Sequence, residues 1–304
     1  MTTLKLKIAD IIIELKSKFP MQPINEKISW RFCNFIYKGK KRAQIVLTIE
    51  VVNQLPKVKF SKKRIFLTRH PATNEKNWAL YKSNGLFILA TFVVSKIHEI
   101  FLNQDFTRGK VYYKTTADAD GSWKPEDIIY DALQVILINY ITGRDGIFVH
   151  AVGMKDIDKR GLLFVGKSGD GKSTTARIWH KFSEATVLND DRIIIRKNKD
   201  KFLIYGCPWH GEFTDYLISK IETTDLNSVF FLEHSKFNSF QLVPTVKAFN
   251  LLYPCTFHTF WDRKGIGNAI RFSSQLTKEV PCFKLGFKND KEMIEFVRGI
   301  SLKR

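Results

Sequence analysis

Three glycines, two lysines and two serines stand together in Gly166-Lys167-Ser168-Gly169-Asp170-Gly171-Lys172-Ser173. Glycines let successive backbone N–H groups turn toward one point, and a helix beginning behind them adds positive potential, so this spacing makes a cradle for phosphate. Within the pattern G-x-x-x-x-G-K-[ST], Lys172 reaches β- and γ-phosphates and Ser173 offers a hydroxyl to Mg²⁺. Thr174, next in the chain, belongs to the same nucleotide-contacting set. By composition alone the pattern arises in about one chain in a hundred of this size. An apolar strand before Gly166 and a helix-compatible segment after Lys172 lower that further, so the chain is expected to bind ATP with Mg²⁺.

Asn189-Asp190-Asp191 follows at the end of an expected strand. Paired carboxylates beside a phosphate cradle can divide two tasks, one ordering the metal and the other accepting a proton from an attacking hydroxyl. Acidic pairs are common in turns; the argument here is position. Eighteen residues separate Lys172 from Asp190, enough for one helix and one short return strand. His150 ends the earlier strand Phe148-Val149-His150-Ala151, and it reaches the nucleotide end of the sheet if that strand neighbours Leu162 to Val165. Otherwise it is a core histidine. Glu212 is either an acid serving metal or acceptor, or an exposed turn carboxylate. Trp209 and His210 either wall an acceptor pocket or pack a loop.

His150, Gly166 to Ser173 and Asp190-Asp191, in this order and spacing, resemble the C-terminal kinase domain of HPr kinase/phosphorylase and, more distantly, ATP-dependent phosphoenolpyruvate carboxykinase. The resemblance spans roughly residues 125 to 300 and is carried mainly by 146 to 212. It implies that Lys172 contacts phosphate, that Ser173 and Asp191 hold Mg²⁺ with Glu212 as a further candidate, that Asp190 is the base, and that His150 supports the carboxylates. The family's Glu-Ile-Arg-Gly-like stretch is absent. Tyr205-Gly206-Cys207-Pro208-Trp209-His210-Gly211-Glu212 stands in its place, similar to the Gly-x-Pro-Trp-x-Gly stretch of stand-alone HPr kinase-like proteins that accompany peptide-modifying clusters, including lasso-peptide precursor kinases. The implied activity is transfer of the γ-phosphoryl group of ATP to a serine hydroxyl of a peptide or small protein. A kinase for free serine, and an ATP-sensing module that binds a polyanion or partner without transfer, are the alternatives. Rings occur in the family, which admits a homo-oligomer, although no interface is legible here.

The elements that must position these residues read as α/β. From Lys5 to about Thr116 the apolar pattern has period two, as in half-buried strands. Asn84-Gly85 marks a tight hairpin, and a second is expected at Thr107-Arg108-Gly109. Residues 8–19 fit either strand or helix. Pro125, Glu126 and Asp127 open a helix that Gly143 closes, with Ile128, Ile129, Ala132, Leu133, Ile136, Leu137 and Ile141 on its apolar face. Strands are expected at 147–152, 162–165, 186–188, 193–196 and 202–205, with helices at 173–181 and 291–302. The expected architecture is a mixed-sheet phosphate-loop core of the HPr kinase/carboxykinase type at residues 121–304, preceded by a smaller β-rich domain at 1–120. Arg263, Lys264 and Arg271, near Gly265 and Gly267, are either solvated surface charge or a mobile loop closing over phosphates.

The 49 Lys and Arg against 30 Asp and Glu give a formal charge of +19. Residues 1–100 hold 19 of the basic and 6 of the acidic side chains, so the positive field belongs mainly to that third. Such a surface draws polyanions or acidic peptides, and an acidic acceptor recruited by the N-terminal region is the partner expected. No base-reading module is evident and nucleic acid is not the expected partner. Cys33, Cys207, Cys255 and Cys282 lie far apart without a CxxC pair, which suggests neither zinc nor disulfides. The apolar run Leu86 to Val94 is too short to span a bilayer, and a cytoplasmic protein is expected.

Overall fold

The computed structural model describes residues 1–24, 31–53, 63–69, 73–92, 97–114, 121–167, 169–211 and 222–301. Ser168, Glu212 and most of the polar joint at 116–121 lie outside these residues. The chain is a mixed α/β protein that divides into two compact units, Met1–Tyr140 and Ile141–Arg304. The helical run from Pro125 belongs with the first unit up to Tyr140. Its anchor is Tyr113, whose hydroxyl donates to Asp127 Oδ2 (2.5 Å) and accepts from Lys124 N–H (3.3 Å).

In the first unit, among the described residues, eight strands form one sheet: β1 (Thr2–Ile8), β2 (Ile11–Ser17), β3 (Ile45–Val52), β4 (Lys63–Arg69), β5 (Lys76–Ser83), β6 (Leu86–Thr91), β7 (Ile97–Leu102) and β8 (Arg108–Lys114). Their order is β1-β2-β3-β8-β7-β6-β5-β4, with β3 parallel to both neighbours and the other pairs antiparallel. Residues 8–19 resolve as strand, because Ala9 and Asp10 both take positive φ (49° and 61°) in a two-residue turn whose twist matches the flanking strands. Asn84-Gly85 makes the same kind of turn, with φ of 44° and 77°. The second expected hairpin turns earlier than Thr107-Arg108-Gly109. Asn103 begins the connection and its Oδ1 accepts from the N–H groups of Thr107 (2.9 Å) and Arg108 (2.8 Å), so Arg108 already opens β8.

In the second unit, among the described residues, nine strands run β9 (Gly146–Lys155), β10 (Gly161–Val165), β11 (Thr186–Asn189), β12 (Arg192–Asn198), β13 (Lys201–Tyr205), β14 (Thr223–His234), β15 (Ser239–Leu242), β16 (Thr256–Phe257) and β17 (Cys282–Phe287). Strand β9 is the hinge of the architecture. Its first half pairs with β12 and β16, and its second half with β10 and β11. Both faces of β9 and β10 are buried. Ile147, Val149, Leu163 and Val165 pack in one cluster with Ala248, Leu252, Phe272 and Leu276 of the helices Thr245–Leu252 and Arg263–Glu279. Val152, Met154, Leu162 and Phe164 pack in another with Ala176 and Trp179 of Lys172–Phe182 and with Met293 and Val297 of Glu292–Ser301. Strands covered on both sides read as continuous apolar runs, as Leu162 to Val165 does.

Arg263, Lys264 and Arg271 lie on a 17-residue helix, not a loop. Asp262 caps it by accepting from Gly265 N–H (2.8 Å), and Gly265 is close-packed, since a Cβ there would sit 1.6 Å from Thr259 Oγ1. Arg271 is exposed and faces Asp145 at 3.7 Å. Among the described residues, no helix is long and apolar enough to cross a membrane.

Candidate active site

Strand pairing brings the three sequence features to the middle of β9, where its two halves change partners, so His150 lies within the strand and does not end it. Val165 sits opposite Ala151, so the glycine loop leaves β10 beside His150. Arg192 sits opposite His150, and Ala151 N–H donates to Asp191 O at 3.0 Å. The acidic turn and the loop are thus neighbours because each borders the same two residues of β9.

The loop's backbone depends on its glycines. Gly169 and Gly171 have φ of 91° and 93°, a region that side chains resist. A Cβ on Gly171 would also lie 2.5 Å from Phe287 Cζ, at the end of β17. The helix begins at Lys172, and His234, ending β14, bonds Gly169 O through Nε2 (2.7 Å). Lys172 Nζ donates to Gly166 O (2.9 Å) and Lys167 O (2.8 Å). Burial lowers its pKa, opposed by the charges of Asp191 and Asp170. Asp170 turns back on the loop, where Oδ2 accepts from Lys167 N–H (2.5 Å).

The acidic turn is built around Asn189, which is fully buried. Its Oδ1 accepts from Asp191 N–H (2.9 Å) and Arg192 N–H (2.8 Å), and its Nδ2 donates to Cys207 O (2.9 Å) and Trp209 O (3.1 Å). Asp190 Oδ1 accepts from Gly211 N–H at 3.0 Å; a Cβ on Gly211 would stand 2.8 Å from Asp190 Oδ2, so glycine permits the approach. Asp191 pairs with His150 Nε2 through Oδ1 (2.9 Å) and with Arg192 through Oδ2. Burial would raise the Asp191 pKa, but the hydrogen bond from His150 and the charges of Arg192, His150 and Lys172 outweigh it and hold the carboxyl below its ordinary value. Arg192 lies over the Phe257 ring, 5.5 Å from its centroid.

A pocket of about 350 Å³ opens where these parts meet. Of the expected residues it is lined by His150, Gly169, Gly171, Lys172, Ser173, Thr174, Asp190 and Asp191. Gly166, Lys167 and Asp170 form the loop behind it and do not line it. Ser168 and Glu212, outside the described residues, have no placement here. Trp209 and His210 are not pocket walls: Trp209 packs against Phe148 at 6.0 Å between ring centroids, and the His210 side chain is wholly buried 3.7 Å from Asp190 Oδ1. Gly211 and Arg177 line the pocket instead. Asn189 enters the sequence reading only as the residue before the two aspartates, and Arg192, Arg177 and His234 do not enter it. The apolar strand before Asn189 is the one local signal available for the first two; Arg177, three residues beyond Thr174, was legible as a cation one helical turn along from the loop.

No protein-family model matches the chain, and no curated protein matches it. Among solved structures it is similar to the Hpr(Ser) kinase/phosphatase from Coxiella burnetii, over 51% of this chain and 97% of that one, at 15% identity and a TM-score of 0.29. A likeness of this size carries no argument about this chain, and no residue's role is taken from it.

Proposed function

We infer that this chain is a phosphotransferase that moves the γ-phosphoryl group of ATP to a serine hydroxyl of a peptide or small protein. The observation that carries the reading is the shared pocket: a glycine-rich helix start, a buried lysine and the turn Asp190-Asp191 border the same space, with the Asp190 carboxylate buried just beneath its surface. That donor set suits Mg²⁺ bound to nucleotide. Among the described residues no three His, Cys, Asp or Glu side chains cluster as an all-protein metal cage, and Mg²⁺ typically takes one or two protein oxygens and completes its shell with phosphate and water.

Ser173 and Asp191 would hold the ion, with Glu212 a further candidate. His150 and Arg192 leave lone pairs on both Asp191 oxygens, because a carboxylate has about four acceptor sites, and its lowered pKa keeps it ionised. Bound there, the ion would neutralise phosphate charge. The loop amides and Lys172 orient the donor. Asp190 accepts the hydroxyl proton as the acceptor oxygen bonds to phosphorus and the bridging oxygen departs with ADP. Such catalysis is mostly positioning and charge neutralisation.

The test is transfer of label from γ-labelled ATP to serine-containing acidic peptides and to free serine, by wild type, Lys172→Ala and Asp190→Asn. Label is expected on peptide serine with wild type alone. Undiminished transfer by Lys172→Ala would end the reading, and label on free serine alone would replace the acceptor.

A further inference from the structure

The first unit carries a groove that the phosphotransfer chemistry does not use. Leu15, Leu47, Val111 and Ile100 are fully buried on one face of its sheet. The alternate residues of the same strands face the other way, and the strand registers set them in rows. Lys16 on β2 sits opposite Thr48 on β3, Thr48 opposite Lys110 on β8, and Lys110 opposite Phe101 on β7. Two residues along, Glu14, Val46 and Arg108 form a second row. These side chains, with Leu86 and Arg42, line an open groove of about 530 Å³. Ala43, beside Arg42, packs with Ile12 and Val46, which fixes that wall against the sheet.

The groove is cationic with an apolar floor. Lys16, Arg42, Arg108 and Lys110 line it against one carboxylate, Glu14, while Val46, Leu86 and Phe101 supply apolar surface. Lys110 is neutralised by Glu50 beside it. Among the described residues, Lys16 and Arg42 have no ion pair or side-chain hydrogen bond. Three strand steps separate Lys16 from Phe101, about 14 Å, the span of about four residues of extended polypeptide.

We propose that this groove docks a short acidic peptide whose groove-facing side chains, at every second position, include both carboxylates and apolar groups. The carboxylates meet Lys16, Arg42 and Arg108, and the apolar groups cover Phe101 and Val46. A nucleic acid strand fits less well, because its charge recurs at every nucleotide and so meets Glu14 and Glu50 as well as the cations. That the docked chain is the phosphoryl acceptor rests on the phosphotransfer reading; affinity for such a peptide does not.

The experiment is fluorescence anisotropy on the full chain with a fluorescein-labelled peptide of Glu-Glu-Leu-Leu repeats, about eight residues long, in which each face carries both Glu and Leu. An all-Glu peptide, a Lys–Leu peptide of Lys-Lys-Leu-Leu repeats and a labelled oligodeoxythymidine are the comparison probes. The Glu–Leu peptide is expected to bind tightest. The double variant Lys16→Gln/Arg42→Gln should weaken it severalfold, and Lys16→Glu/Arg42→Glu by about tenfold or more. Both variants should keep the wild-type melting temperature and ATP affinity. Equal binding by wild type and the charge-reversed variant, or tighter binding of the oligonucleotide or the Lys–Leu peptide, overturns the proposal. Lys172→Ala, which should abolish phosphotransfer, is expected to bind the peptide as wild type does, so the two readings fail separately.

Discussion

Replacing Asn189 with alanine probes how the acidic turn is held. The side chain is fully buried and makes four hydrogen bonds at 2.8 to 3.1 Å, two accepted and two donated. Truncation leaves the carbonyls of Cys207 and Trp209 without this donor in a buried region, at about 1–2 kcal/mol each, and the partly buried amides of Asp191 and Arg192 without their acceptor, at about 0.5–1 kcal/mol each. The total is about 3–6 kcal/mol. With a urea m-value of about 2 kcal/mol/M, the unfolding midpoint of the second unit should fall by roughly 1.5–3 M. Asn189→Asp keeps the acceptor for the two amides but points an anionic oxygen at two carbonyls. Its carboxyl is therefore expected to have a raised pKa in the folded state, so its instability should be greatest at neutral pH and shrink on acidification, when the protonated form donates to one carbonyl. Urea titrations read by tryptophan fluorescence and far-UV circular dichroism, at neutral and mildly acidic pH, measure both effects. An alanine variant within about 0.5 kcal/mol of wild type, or an aspartate variant whose deficit grows on acidification, would show that these four bonds do not hold the turn.

Three further perturbations test other joints. Arg298 donates through Nε (3.0 Å) and Nη2 (2.7 Å) to the buried carboxylate of Asp156, so Asp156→Ala should lower unfolding free energy by about 3–5 kcal/mol in urea titration. Gly171→Ala combines a φ of 93° with a Cβ 2.5 Å from Phe287; nucleotide affinity by calorimetry should fall at least tenfold, while Gly267→Ala, whose Cβ position is open, should leave it unchanged. The depressed Asp191 pKa means that its contribution to stability is fully present above the unfolded carboxylate value of about 3.9 and is lost as pH falls through the lower folded value. The excess stability of wild type over Asp191→Asn should be flat from neutral pH to about 5 and shrink on acidification below about 4 in a pH series of denaturant melts.

Local chemistry made part of this architecture legible in advance. Asn84-Gly85 and the glycines of the loop announce backbone conformations that few other residues tolerate, and consecutive short elements leave little freedom in where Gly166, His150 and Asp190 fall. The spacing between Lys172 and Asp190 accommodated one helix and one return strand, and the chain uses it for Lys172–Phe182 and β11. Long-range partners were less accessible. Nothing adjacent to Gly169 announces that His234 will reach its carbonyl from 65 residues away. Trp209 and His210 look like recognition residues in a polar-flanked stretch, yet burial behind Asp190 is decided by how the segment returns under Asn189. Gly265 and Gly267 make a mobile loop one of two readings of Arg263, Lys264 and Arg271, the other being solvated surface charge, while Ala269, Phe272 and Leu276, at helical spacing after Asp262, carry the signal of the helix that forms.

On the proposed reading, metal-bound nucleotide is held between the glycine loop and the aspartate pair. Mn²⁺ substituted for Mg²⁺ reports this directly by electron paramagnetic resonance. The wild-type chain should immobilise Mn²⁺ only when ATP is present, and Asp191→Asn, Ser173→Ala and Lys172→Ala should each weaken or abolish that signal. Mn²⁺ spectra that are the same with and without ATP, or that are unchanged in Asp191→Asn and Lys172→Ala, would contradict the account.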